Sequence, residues 1–444
     1  MIVSLDTTRA DRLPAYGYMD VSMPHLDRLA REGVVFDQAT SVAPLTLPAH
    51  ASLFTGLYPP GHGVRDNADP ALAEEHATLA ETLRERGFRT AAFVGSVVVN
   101  PERGLAQGFD EYRGVATDKQ AGHGPERMQR RADAVVTDAL EWLGHQPASP
   151  FFLWVHLYDP HRPYDPPEPY RSSVADPYVG EIAFADSQIG RLLDALERRR
   201  LYDRTVVVVV GDHGESLGDH GERDHGIFVY ESVMRVPFIV RAPGLAPRRV
   251  GAVVRLVDVM PTVLDLVGLQ APDLDGVSLV DLMKGSRRSD LEAYSESLYP
   301  RRFGWSPLLA LRDGRFKLIS APRPELYDLE RDPFEERNIY GERRELAEAM
   351  TTRLADIARE RSTGTGTPAV PPDVQARLAA LGYVGSVPTP AMLTGEQLPD
   401  PKDCIGRADR GHPRPSVGSD GPAGCGRAGQ HAGSGDIPRP EPPF

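Results

Sequence analysis

Three apolar runs in this chain end in side chains suited to metal chemistry. "IVSLD" (2–6) ends in Asp6, "TVVVVVGDHGE" (205–215) delivers Asp212 and His213, and "FFLWVHLYDPHRPY" (151–164) delivers His156, Asp159 and His161. A single Asp at a strand end is commonly a turn former. Two carboxylates and an imidazole gathered at one sheet edge instead suit a divalent cation. The glycine-rich segment "GDHGESLGDHGERDHG" (211–226) adds His220 and His225. His220 reads as part of a solvated loop. His225 follows Asp212 by 13 residues, on a loop able to fold back over the same edge.

A second stretch, "SVAPLTLPAHASLFTG" (41–56), reads as a loop running into a helix. Thr46 lies two residues before Pro48, and His50 follows one helical turn later. A hydroxyl beside a helix N-terminus is either a nucleophile facing an anion or a cap. A helix beginning near Pro48 would offer peptide N–H groups to an anion. Residue types alone leave both readings open.

The elements that must position these residues follow from hydropathy. Strands are predicted at 2–6, 89–95, 151–157, 205–211 and 236–240, as continuous apolar runs of the kind covered on both faces. Helical patterns lie between them at 23–33, 77–87, 131–144 and 181–199, with Gly33 and Gly87 as stops. The alternation implies an α/β fold with a mostly parallel central sheet flanked by helices. Ligands of such sheets collect beyond the carboxyl ends of the strands.

A change of pattern near residue 300 sets the domain organisation: an α/β domain over 1–300 that carries the candidate site residues, and a small C-terminal α+β subdomain over 301–360. The subdomain contains a hairpin turning at Asp313-Gly314 and a helix from about 342 to 360. Residues 361–400 read as a linker with a short helix at "DVQARLAALGYVG". Residues 401–444 hold 9 Gly and 8 Pro without apolar periodicity, and a disordered tail is expected there.

Composition narrows the function. A formal charge of −13 argues against a nucleic-acid partner. The only cysteines are Cys404 and Cys425, so no disulfide or cysteine-based metal site is expected in the folded part. No run of 18 apolar residues suggests a transmembrane segment. No signal peptide is visible, and localisation is open; export to the periplasm or outside the cell would need a segment upstream of this chain.

Taken in order, these motifs resemble the sulfatase family of the alkaline phosphatase superfamily. "TLPAHASLFTG" is similar to the signature Cys/Ser-x-Pro-Ser-Arg leading into a helix, and Asp6, "DPHRPY" and "GDHGE" follow in family order. "ELYDLERDPFEERN" resembles the family's C-terminal region, and "LGYVG" a common extension of it. The resemblance covers roughly residues 1–385. It implies an alkaline phosphatase/sulfatase-like fold, metal ligation by Asp6, Asp212 and His213, and Thr46 at the nucleophile position. It puts His161 against the transferred group, His225 in the place of a lysine with a similar role, and His50 in the place of the signature arginine, as a substrate-binding residue.

Threonine cannot be oxidised to the formylglycine aldehyde of sulfatases, because its β-carbon carries a methyl group. Threonine nucleophiles do occur in the phosphodiesterase and phosphonate-cleaving branches of the superfamily. The implied cofactor is a divalent metal cation: Ca by resemblance, with Zn or Mn suited to Thr46 and the histidines. His50, His161 and His225 either act as cations or acids towards the anion, or two or three of them hold a second ion with Asp159. The expected activity is hydrolysis of sulfate, phosphate or phosphonate esters, with a small-molecule, glycan or lipid-headgroup anionic substrate. The alternative is an inactive homologue that binds an anionic glycan or lipid headgroup.

Overall fold

The computed structural model describes residues 1–116, 129–145, 150–285, 290–360 and 398–408. Its larger sheet has the strands β1 (Ile2–Leu5), β2 (Val34–Thr40), β3 (Arg89–Val94), β4 (Glu111–Arg113), β5 (Phe151–Leu157), β6 (Val207–Gly211), β7 (Arg235–Val236), β8 (Phe238–Arg241) and β9 (Arg248–Arg255). The order is β4-β3-β5-β1-β6-β8-β2-β7, with β9 beside β2. Strands β4, β3, β5, β1 and β6 are mutually parallel, while β8 runs antiparallel to β6. The expected 236–240 strand is two pieces broken at Pro237, which has no N–H for the ladder. Strands β2 and β9 escape a search for apolar runs, because Asp37 and Gln38 interrupt β2, while arginines at both ends leave β9 a short stretch broken by Gly251.

Period-two alternation divides the central strands between two cores. Val3, Leu5, Val155, Leu157, Val207 and Val209 face one core, shared with the helices α1 (Pro24–Glu32), α4 (Ala132–Gly144) and α5 (Pro177–Arg198). Ile2, Trp154, Val208 and Val210 face the other, shared with α2 (Thr46–Thr55) and α3 (Leu79–Glu85). Helix α2 stops at Gly56, which takes φ +68°, and a Cβ there would fall 2.7 Å from Leu274.

The smaller sheet is antiparallel in the order β10 (Ala293–Ser297), β11 (Leu308–Arg312), β12 (Phe316–Ser320), β13 (Glu325–Asp328), and α6 (Arg344–Glu360) packs on it. Because β10 belongs to it, the smaller unit begins before residue 301. Residues 401–408, placed by composition in a disordered tail, form helix α7 (Pro401–Ala408). Asp400 accepts from the Arg323 amide at 3.0 Å. Cys404 is completely buried and disulfide-bonded, against the expectation of no disulfide in the folded part. The rest of that tail, the 361–397 linker and its short helix lie outside the described residues. Among the described residues, no helix is long and apolar enough to cross a membrane.

Candidate active site

Register brings the strand-end residues together. Leu5 of β1 pairs with Leu157 of β5 and with Gly211 of β6, so Asp6 and Asp212 leave the sheet side by side. Alternation turns both towards α2, as it does His156, which pairs with Ser4 in the ladder. Asp6, Asp212 and His213 are fully buried, and one ligand atom of each lies within 4.8 Å of the other two. Both carboxylate oxygens of Asp6 and Oδ2 of Asp212 are buried without a hydrogen-bond partner. Burial raises the pKa of each, and at Asp212 the charge of Asp6 adds to the effect. Left without a counter-charge, such a pair is unfavourable. A divalent cation fits it.

His213 is prepared for the same task. Its Nδ1–H donates to the Gly214 carbonyl at 2.9 Å, leaving Nε2 as a bare lone pair. Nε2 sits 3.7 Å from Asp6 Oδ1, 3.7 Å from Asp212 Oδ2 and 3.3 Å from Thr46 Oγ1. Burial holds the ring well below its ordinary pKa, so it is neutral. Asp212 is fixed through its other oxygen, which accepts from the amides of Thr7 (3.2 Å) and His213 (2.6 Å). Thr7 takes φ +47°, a conformation uncommon for a β-branched residue, and that lets its amide face Asp212.

Thr46 is the first residue of α2, which starts two residues earlier than expected and has no side-chain cap at Leu45. Pro48 has no N–H, the Leu47 amide donates to Asn67 Oδ1 at 2.8 Å, and the Ala49 amide donates to the Leu45 carbonyl. The helix therefore offers an anion far fewer amides than the sequence suggested. Asn67 Nδ2 is buried there without a partner.

His50 departs from its expected place in an anion pocket. Its Nδ1 bonds the Thr46 carbonyl at 2.8 Å, which fixes the proton on Nδ1 of the neutral ring. Its Nε2 then accepts from Ser4 Oγ at 2.9 Å, and Ser4 accepts from Trp154 Nε1 at 2.9 Å. With both nitrogens engaged and the ring fully buried, His50 braces the first turn of α2 from below. Asp159 also turns elsewhere: its Oδ2 accepts from the Ala132 amide at 2.8 Å, at the start of α4. It does not join His161 and His225 in a second cation site.

His161 and His225 do meet, with ring centres 5.2 Å apart, and His225 lies 4.5 Å from His213. His161 Nδ1 is held by Tyr158 Oη (2.7 Å) and the Arg162 carbonyl (2.8 Å), and its Nε2 is buried without a partner. Burial lowers its pKa to about 4. His225 behaves oppositely. Burial pulls it down, but Glu215, 3.0 Å from Nδ1, lifts it to about 9 and makes it a cation at neutral pH. Glu215 is itself buried and accepts from Tyr164 Oη at 3.0 Å. Neither Glu215 nor Tyr164 was singled out from the sequence. The signal for Glu215 was present in "GDHGE", but its pairing with His225 depends on how the loop closes.

Comparison with known proteins gives the family. The sulfatase family model matches residues 1–269, and the model of the N-sulphoglucosamine sulphohydrolase C-terminal region matches residues 218–360. An arylsulfatase of Clostridium perfringens is 27% identical, over 76% of this chain and 89% of that protein. A choline-sulfatase of Rhizobium meliloti is 26% identical, over 76% of this chain and 81% of its own length. The phosphonate monoester hydrolase of Agrobacterium radiobacter shares the fold, with a TM-score of 0.69 at 24% identity, covering 84% of this chain and 99% of that one. With more than half of its length matched by the family model, the chain belongs to the sulfatase family of the alkaline phosphatase superfamily.

Proposed function

We propose that the protein is a metal-dependent hydrolase of sulfate, phosphate or phosphonate esters in which Thr46 attacks the sulfur or phosphorus centre. One observation carries this reading: Thr46 Oγ1 stands 3.3 Å from the bare Nε2 of His213, beside two buried carboxylates with unpartnered oxygens. Asp6, Asp212 and His213 would hold the cation. When bound, the cation lowers the pKa of a nearby hydroxyl and offsets the negative charge of the substrate. A nitrogen in the donor set suits Zn better than Ca or Mn, which favour oxygen ligands.

The protein's own residues supply the remaining steps. Thr46 releases its proton to solvent as its oxygen bonds to the centre, and the bond to the leaving alcohol breaks. The cationic His225 is placed to protonate that leaving oxygen, and the neutral His161 contacts the transferred group. Water then attacks the threonine ester, the bond to Thr46 breaks, and the two protons of the water return to His225 and to the Thr46 oxygen. General acid catalysis of this kind contributes roughly 100- to 10,000-fold.

The substrate is an anionic ester of a small molecule, a glycan or a lipid headgroup. Thr46 favours phosphorus, and the relatives named for sulfatase activity favour sulfur. The test is turnover of aryl sulfate, aryl phosphate and a phosphonate monoester by protein loaded with Mn, Zn or Ca. Thr46→Ser should keep substantial activity, and Thr46→Ala should lose roughly 1,000-fold or more. Full activity in Thr46→Ala overturns the reading. Tight binding of every ester without turnover leaves the anion-binding alternative, which the loss of a formylglycine precursor favours.

A further inference from the structure

His156 takes no part in the chemistry above, yet it is fully buried and aimed at the centre of the site. Its Nε2 has no hydrogen-bond partner and lies 3.4 Å from Asp6 Oδ2, which also has none. On the other side of the ring, the Gly95 amide approaches Nδ1 at 3.4 Å while also donating to the His156 carbonyl at 3.1 Å. A ring nitrogen facing an N–H presents its lone pair, so the ring proton belongs on Nε2. The edge of His50, with ring centres 4.9 Å apart, keeps the imidazole from turning away.

We propose that His156 is a positioning residue for the metal ligand Asp6: its Nε2–H, 3.4 Å from Asp6 Oδ2, turns to donate to that oxygen once the cation is bound and leaves only Oδ1, which faces His213 Nε2 at 3.7 Å, to bind the cation. The inference rests on the metal reading above and assigns it a selectivity. A carboxylate with one oxygen engaged by an imidazole binds a metal through the other. That suits a small cation with few ligands, such as Zn. Calcium takes six to eight oxygens and commonly uses both oxygens of a carboxylate, so the arrangement disfavours it. Hydrogen bonds that orient metal ligands are typically worth 10- to 100-fold in affinity.

The experiment measures dissociation constants of Mn, Zn and Ca for wild type, His156→Gln, His156→Ala and Asp6→Ala by competition with a chelating dye. The Co(II) absorption spectrum of each protein is recorded alongside. His156→Ala should weaken Mn and Zn about 10- to 100-fold and Ca by less. His156→Gln places an amide N–H near the position of Nε2–H, so it should recover most of the affinity with an unchanged Co(II) spectrum. If Asp6→Ala loses the metal while His156→Ala binds Mn and Zn as tightly as wild type, the positioning role is overturned and the metal site stands. If His156→Gln is as weak as His156→Ala and its Co(II) bands shift, His156 is a direct ligand and the role proposed here is wrong. If Asp6→Ala binds metal normally, the metal reading itself fails. Should His156→Ala not fold, the Gln variant and its spectrum decide.

Discussion

Replacing Asp212 by Asn should make the metal-free protein more stable while destroying its cation site. Asp212 Oδ1 accepts from the Thr7 and His213 amides, and the amide oxygen of Asn can keep both bonds. The oxygen replaced by NH2 is Oδ2, which has no partner and faces a second carboxylate that also has none. The new N–H groups can donate to Asp6. Each buried unsatisfied polar group costs about 1–3 kcal/mol, so relief of one should add an amount in that range. At about 2–4 °C per kcal/mol for a domain of 150–250 residues, and less for a longer chain, the melting temperature should rise by a few degrees.

The pH dependence carries the same signature. Burial raises the pKa of both carboxylates, and the Asp6 charge raises Asp212 further, so the folded chain keeps protons that the unfolded chain releases above about pH 4. This stability is fully present below that pH and is lost as pH rises through the folded-state values. Asp212→Asn should flatten that decline. The assay is urea unfolding after exhaustive chelation, from pH 4 to 8, repeated with Mn or Zn. Metal at 100 times its dissociation constant should stabilise wild type by about 2.7 kcal/mol and the variant by far less. A chelated variant no more stable than wild type, or one that gains as much from metal, would refute the reasoning.

Further outcomes follow from other contacts. Because His225 is a cation up to about pH 9, kcat/KM should fall as pH rises through that value, and Glu215→Gln should move the alkaline limb to lower pH in a pH–rate profile. Replacing His50 by Phe removes the bonds to Thr46 and Ser4 and should cost about 1–3 kcal/mol in denaturant unfolding. Ending the chain at residue 397 removes the fully buried, disulfide-bonded Cys404 and the bond from the Arg323 amide to Asp400, and should lower the melting temperature.

The carboxylates were legible because a parallel sheet gathers what its strands end in. "IVSLD" and "VVVVVGDH" carry the strand, its end and the ligand types in one string. His156 was visible in such a string too, but its role depends on the face it shares with Asp6 and on the Gly95 amide. His50 was misplaced because its partner, Ser4, lies 46 residues away on β1, where no local pattern points to it. Strands β2 and β9 were missed for a different reason: Asp37 and Gln38 break the apolar run of β2, and β9 is a short apolar stretch between arginines. The glycine and proline count of the tail described its average, while Asp400 and Cys404 dock it at specific places.

The central claim is that Thr46 becomes covalently esterified during turnover. The direct measurement is mass spectrometry of metal-loaded protein quenched in acid within milliseconds of mixing with an activated aryl ester, followed by peptide mapping. Thr46 is expected to be unmodified in the resting protein and to carry a sulfuryl or phosphoryl group in the quenched one, absent in Thr46→Ala. Rapid turnover with the modification on another residue, or with incorporation of labelled water by direct attack and no protein adduct at any quench time, would contradict it.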